Sequence, residues 1–127
     1  MKIFGFEKLQ VWQKSRQTSI KIYKATANFP SEAVPAGRQE RFGLTSQMRR
    51  AAISISSNIA EGTGRHSNKD KARFTEIAYG SALELLNQCI LSNDLEFLNE
   101  EKYLELRQNL TEITAMLDGL YKSQISK

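Results

Sequence analysis

Leu44–Gly62, LTSQMRRAAISISSNIAEG, reads as a helix that carries small and polar residues where a soluble helix usually carries large ones. Ala51, Ala52, Ser54, Ser56, Ser57 and Ala60 crowd around only three large apolar residues, Ile53, Ile55 and Ile59. Ser54, Ser57 and Asn58 are poor helix-interior residues in water, because their side chains compete for the backbone. Their concentration predicts a face that touches another helix closely, with side chains bonding back to the carbonyl one turn earlier. Met48, Ala52, Ile55 and Ile59 repeat at helical spacing and predict the buried face. Thr45 or Ser46 is placed to cap the start. Gly62 is placed just past the end, where a left-handed residue is wanted. Glu61, disfavoured by the dipole at a helix C-terminus, predicts a compensating partner, either Arg65 or a backbone N–H of the next turn.

Outward from this block, three more helices are legible. The first spans about 9–27, where Leu9, Trp12, Ser19, Ile22, Tyr23 and Thr26 trace one face and Asn28–Phe29–Pro30 stops it. The intervening SEAVPAGRQERF, residues 31–42, holds Pro35 and Gly37 without apolar periodicity and reads as a long loop. Ser67 caps a third helix over about 67–92, with Asp70 three residues later. Phe74, Ile77, Ala78, Ser81, Leu85 and Cys89 make its first stripe. Leu83, Leu86 and Ile90 make a second, offset one that needs a cover of its own and predicts an oligomer interface. Asn99 caps a fourth helix over about 99–123, whose Tyr103, Leu106, Leu110, Ile113, Leu117 and Leu120 form a heptad-like seam. No strand-like alternation competes. The expectation is one domain over 1–127, all-α, an antiparallel up-and-down four-helix bundle.

Composition agrees with that reading. A chain of 127 residues that is 40% apolar and 25% charged, with two prolines, is not composed like a disordered segment. Its length buries roughly two-thirds of the unfolded surface without a disulfide or metal staple. Cys89 is the single cysteine, which suits a reducing compartment. The opening MKIFGFEKLQ lacks the apolar run of a signal peptide, and no stretch approaches the roughly 20 apolar residues of a membrane span. A cytoplasmic protein without membrane attachment is expected.

Catalysis finds little support in the residues. His66, the one histidine, falls in a turn. Cys89 lies at helical spacing from Leu85 and reads as a small core residue, with no cation within a turn to activate it. There are no Glu-x-x-His pairs for a di-metal bundle, no phosphate-binding loop and no dinucleotide fingerprint. Glu61, Glu76 and Glu84 have no visible catalytic partner. No cofactor, no metal and no enzymatic activity are expected.

Charge is more informative. Residues 1–75 carry 14 Lys and Arg against 5 Asp and Glu, whereas residues 76–127 carry 4 against 9. Segregation of this kind predicts a basic face for nucleic acid, or complementary packing between subunits, or simply a solvated surface. Arg49 and Arg50 lie near the start of the second helix, and Arg65, Lys69, Lys71 and Arg73 lie beyond its other end. At 1.5 Å per residue that helix is about 26 Å long, so one chain presents two basic patches. The candidates for phosphate contact are Arg49, Arg50, Arg65, Lys69 and Arg73. Lys14, Lys21 and Lys24, from a basic stripe on the first helix that also includes Lys8 and Arg16, are the second choice. A purely structural use of the arginines would be salt bridges to Glu61, Glu76 or Glu84. Trp12, Tyr79 and Tyr103 sit on apolar stripes and read as core or interface rather than base-stacking platforms.

FEKLQVWQKS at 6–15, IYKATANFP at 22–30, FGLTSQMRRAAISISSNIAEG at 42–62 and RFTEIAYGSALEL at 73–85 resemble the four-helix-bundle family of the 23S ribosomal RNA intervening-sequence proteins. The resemblance runs from Phe6 to about Tyr121. Its most specific features are Gln47, Arg49–Arg50, Ser54, the run Asn58–Gly62, and Gly80–Ser81 with Glu84. It implies a bacterial cytoplasmic bundle that assembles as a ring-shaped homopentamer. A looser resemblance is to the accessory protein of diversity-generating retroelements, which shares the fold and binds nucleic acid and a reverse transcriptase through a basic surface. The segment SEAVPAGRQER lengthens the family's usual link between the first two helices. The resemblance therefore implies either an oligomeric RNA- or DNA-binding protein or a scaffold that recruits a partner such as a nucleic-acid enzyme.

Overall fold

A computed structural model of the protein describes residues 1–30 and 41–126, with the side chains of residues 41 and 42 left aside. The loop expected over 31–42 therefore lies almost wholly outside the described residues. Four helices follow one another: α1 (Gln10–Thr26), α2 (Ser46–Thr63), α3 (Asn68–Asp94) and α4 (Glu100–Ile125), with a short 3₁₀ turn, Gly5–Lys8, before α1. There is no strand among the described residues. Each helix packs against its neighbour in the chain, and α1 also packs against α4, closing the bundle in the order α1–α2–α3–α4. Contacts run antiparallel at every seam. Ser19 meets Ala52 while Thr26 meets Arg49, and Lys14 meets Glu112 while Lys21 meets Glu105.

The α4 seam buries as its spacing predicts. Leu106, Leu110, Ile113 and Leu117 are fully enclosed, with Tyr103 and Leu120 half-buried at the ends. Opposite them lie Met48, Ile55, Ile59, Leu85 and Cys89. Two of the three expected N-caps form, Ser67 Oγ accepting from the Asp70 amide at 3.1 Å and Asn99 Oδ1 from the Lys102 amide at 2.8 Å. At one end of the bundle Phe29, just beyond α1, tilts against Phe97 of the α3–α4 turn, ring centroids 5.5 Å apart.

Three expectations need correcting. The buried face of α1 is Val11, Ser15, Thr18, Ile22 and Thr26, while Trp12 and Ser19 are half-buried and Tyr23 is exposed. The hydroxyls of Ser15, Thr18 and Thr26 donate to the carbonyls of Val11, Lys14 and Ile22 at 2.7, 2.8 and 2.8 Å, so their burial leaves no donor stranded. α1 thus buries a polar face that apolar periodicity does not announce, beside the one expected on α2. On α2, Ser57 is exposed, and Ser54 reaches across to Ser81 Oγ at 2.8 Å while Asn58 donates to the Ser54 carbonyl at 2.8 Å.

The start of α2 differs as well. A π-helical turn, Arg41–Thr45, runs directly into it, so Thr45 has helical dihedrals and caps nothing. Gly62, finally, is inside α2 and carries no positive φ. Its reason is proximity: a Cβ there would stand 3.0 Å from the Phe74 Cβ of α3. The missing side chain is what lets the two helices meet next to their connecting turn.

Candidate nucleic-acid interface

Helix geometry divides the basic stripe of α1 between its two neighbours. Lys14 and Lys21 are seven residues apart, two turns along one flank, and that flank faces α4. Lys14 Nζ bonds Glu112 at 2.8 Å and Lys21 Nζ bonds Glu105 at 3.0 Å. Both lysines therefore belong to an intramolecular ladder that joins the basic and acidic halves of the chain. Arg16, Ile20 and Lys24 recur at every fourth residue after Trp12 and lie on the other flank, toward α2. Lys21 and Lys24, three residues apart in the basic stripe, are therefore split between two seams.

The ion-pair ladder titrates. Its bond to Lys14 chiefly, helped by Gln108, holds the Glu112 carboxyl below the ordinary carboxylate value, and Lys102 and Lys21 do the same for Glu105. A folded pKa below the unfolded one gives stability that is present above the unfolded value and lost as pH falls through the folded value. Urea midpoints of the wild type and Glu112→Gln should therefore differ most near neutrality. The difference should shrink progressively below about pH 5. A gap that widens on acidification would show that Lys14 gains nothing from the carboxylate.

Arg49, on the first turn of α2, is spent largely on structure. Its Nε donates to Thr26 Oγ1 at 2.9 Å and its Nη2 to the Tyr23 carbonyl at 3.2 Å, and the guanidinium lies 4.6 Å from the Tyr23 ring centroid. It thus caps the carbonyl end of α1, where a cation complements the helix dipole. The structural role foreseen for the arginines is real here, but it goes to α1 rather than to an acid. Arg50, one residue on, is exposed and forms no ion pair among the described residues.

Arg65 sits 4.4 Å over Phe74 and 4.0 Å from the Glu61 carboxylate, the partner that Glu61 was expected to have. Lys69 and Arg73 are exposed on the first turns of α3. The two basic patches therefore remain separate, one at each end of α2.

The patch around Arg50 continues into a groove between α1 and α2. Two open concavities of about 520 Å³ each share Tyr23 and Ile53. Four cations line them, Arg16, Lys24, Arg49 and Arg50, with no acid among the described lining residues. The floor is apolar: Ile20 is 49% exposed, Ile53 45% and Tyr23 40%. Sequence reading had missed Ile20, Tyr23 and Ile53 as site residues; the four-residue row Trp12–Arg16–Ile20–Lys24 was the signal available. Trp12 itself is held edge-on against Phe6, centroids 5.0 Å apart, with Arg16 at 5.5 Å on its ring.

On the opposite side of the bundle the chemistry inverts. A concavity of about 270 Å³ between α3 and α4 is lined by Tyr79, Gly80, Leu117 and Tyr121 with Glu76 and Asp118. Leu83, Leu86 and Ile90 continue the row from Tyr79 at helical spacing. Leu83 is 47% exposed, whereas Leu86 and Ile90 are half-buried, Leu86 by packing on the core. Cys89, on the inner face of the same helix, is enclosed, and burial pushes its thiol up to about 12. Among the described residues there is no group of three or more potential metal ligands and no helix long and apolar enough to cross a membrane.

Comparison with known proteins agrees on the architecture. The family model described as 23S rRNA-intervening sequence protein matches residues 7–119. A 1.70 Å crystal structure of a protein of unknown function from Bacteroides thetaiotaomicron, assigned to the S23 ribosomal protein family, superposes with a TM-score of 0.75 at 27% identity. The match covers 88% of this chain and 98% of that one. No curated protein matches the chain.

Proposed function

The chain belongs to the 23S rRNA-intervening sequence protein family, and from that membership and the placement of its cations we propose a non-enzymatic, oligomeric protein that binds RNA on a basic surface. The observation that carries this reading is the α1–α2 groove, where four cations converge without an acid among the described lining residues. Two of them, Arg16 and Lys24, face away from the α1–α4 ladder that neutralises their neighbours Lys14 and Lys21. A folded chain that gathers like charge on one face gains when a polyanion replaces the counterions there.

Self-association is the second part of the proposal. The row Tyr79, Leu83, Leu86 and Ile90 leaves apolar surface open on the side away from the groove, which supports a contact with another copy. The ring-shaped homopentamer implied by the family resemblance would repeat each basic face five times, so weak single contacts would add through effective concentration. A cytoplasmic location fits such a role.

The competing reading is a scaffold that docks a partner such as a reverse transcriptase. What favours it is the apolar floor of the groove, since protein interfaces bury such residues. One experiment separates the two. Fluorescence anisotropy with a structured RNA hairpin should show binding at 50 mM salt that weakens log-linearly as salt rises, and light scattering of the same samples should give a multiple of the 14.4 kDa chain. Absence of binding at low salt, or binding without a salt slope, would remove the RNA reading and leave the scaffold. A particle of one chain mass at micromolar concentration would remove the oligomer.

A further inference from the structure

We infer that the α1–α2 groove is a single-strand site: it takes the unpaired bases of RNA on its apolar floor and the flanking phosphates on its cationic rims. This rests on the RNA reading above and adds the form of the RNA and its seat.

The argument begins with what the groove contains. Along α1, Arg16, Ile20 and Lys24 follow one another at four-residue spacing, a cation, an exposed apolar residue and a cation. The two cations are roughly 12 Å apart along the axis. Across the groove Ile53 lies on the floor and Arg50 on the rim, and Tyr23 joins the two concavities. Arg49, anchored to the end of α1, lies over the Tyr23 ring and restricts its movement.

A duplex presents phosphates and hides its base faces, so it would leave Ile20, Tyr23 and Ile53 exposed. A single strand presents both phosphates and unstacked base faces, the combination that aromatic and apolar platforms between cations accommodate. Acidic protein partners would satisfy the rims equally well. The acidic side of a second copy, with Glu76 and Asp118, is the concrete alternative occupant.

The test uses the full chain, a fluorescein-labelled twelve-nucleotide single-stranded RNA, and a blunt duplex containing the same strand. The wild type should bind the single strand several-fold more tightly than the duplex, even though the duplex carries the denser charge. Ile20→Ser with Ile53→Ser keeps every cation and alters two exposed positions, so the helical content should be unchanged by circular dichroism. This variant should bind the single strand roughly tenfold more weakly and the duplex as before. The inference is overturned, with RNA binding itself intact, if the wild type binds the duplex at least as tightly or if the double variant leaves single-strand affinity unchanged. It is also overturned if the double variant dissociates the oligomer, since a second copy would then be the groove's occupant. If the wild type binds neither RNA, the broader reading fails and takes this one with it.

Discussion

Replacing Arg49 with glutamate should lower the melting temperature by about 10 °C, whereas Arg50→Glu should change it by about 2 °C at most. Neighbours in sequence and identical in type, these residues differ in what they touch. Arg49 makes two hydrogen bonds to the last turn of α1, one to Thr26 Oγ1 and one to the Tyr23 carbonyl, and stacks on the Tyr23 ring. The first is part-buried and the second exposed, and charged-donor bonds of this kind contribute on the order of 1 kcal/mol each. Glutamate removes both and sets a negative charge against the negative end of the α1 dipole, a further cost of roughly 0.3–1 kcal/mol. The sum is about 3 kcal/mol, and a domain of this size loses roughly 3–5 °C per kcal/mol.

Arg50 is exposed and forms no ion pair among the described residues, so its reversal leaves the helix seams alone. Thermal melts by circular dichroism decide the matter. If Arg49→Glu melts with the wild type, the contacts to α1 add no stability and the guanidinium is free for an anionic ligand. Arg49→Lys is the useful intermediate. It keeps the charge and loses the two-point geometry, so it should fall between the two.

The contrast between these arginines shows which kind of information the sequence carried. Helix α4 was legible because its core face is written in large apolar residues, Leu106, Leu110, Ile113 and Leu117, and the hydrophobic effect selects them by size alone. The buried face of α1 was not legible. Ser15, Thr18 and Thr26 look like surface residues, and they are buried only because each hydroxyl satisfies itself on its own helix. Periodicity then settles on Trp12 and Tyr23, which flank the true face. Gly62 was misplaced for a related reason: a glycine near a helix end signals a left-handed cap, and only the neighbouring helix reveals the Phe74 contact.

At the site, the cations were visible from the start but their assignments were not. Whether a lysine on α1 is a structural pair or a free charge depends on which helix its flank meets, and the acids that decide it, Glu105 and Glu112, lie more than eighty residues later in the chain. The same missing neighbour hid the groove. Its floor residues come from two helices and its continuity exists only once α1 and α2 are side by side.

Two triple substitutions with the same change in net charge locate the RNA surface. Arg16→Glu, Lys24→Glu and Arg50→Glu reverse the groove, and Arg65→Glu, Lys69→Glu and Arg73→Glu reverse the turn at the other end of α2. If affinity depended only on the overall field, both would weaken binding equally. The groove set should instead cost about a hundredfold or more at 50 mM salt, and should reduce the slope of log affinity against log salt by about 2, the value for three lost contacts to a single strand. The turn set should cost about tenfold through the long-range field.

The asymmetry follows from the surroundings of each patch. Arg65 is drawn onto Phe74 and toward Glu61, and Asp70 lies in the first turn of α3 among the same cations. The groove lining has no acid among the described residues, and its three reversed cations form no hydrogen bond or ion pair there that their loss would break. A larger loss from the turn set would move the RNA to the α2–α3 end and leave the groove to another ligand. Equal losses with equal drops in the salt slope would assign both patches to one long strand, because direct contacts lower the slope and a distant field does not.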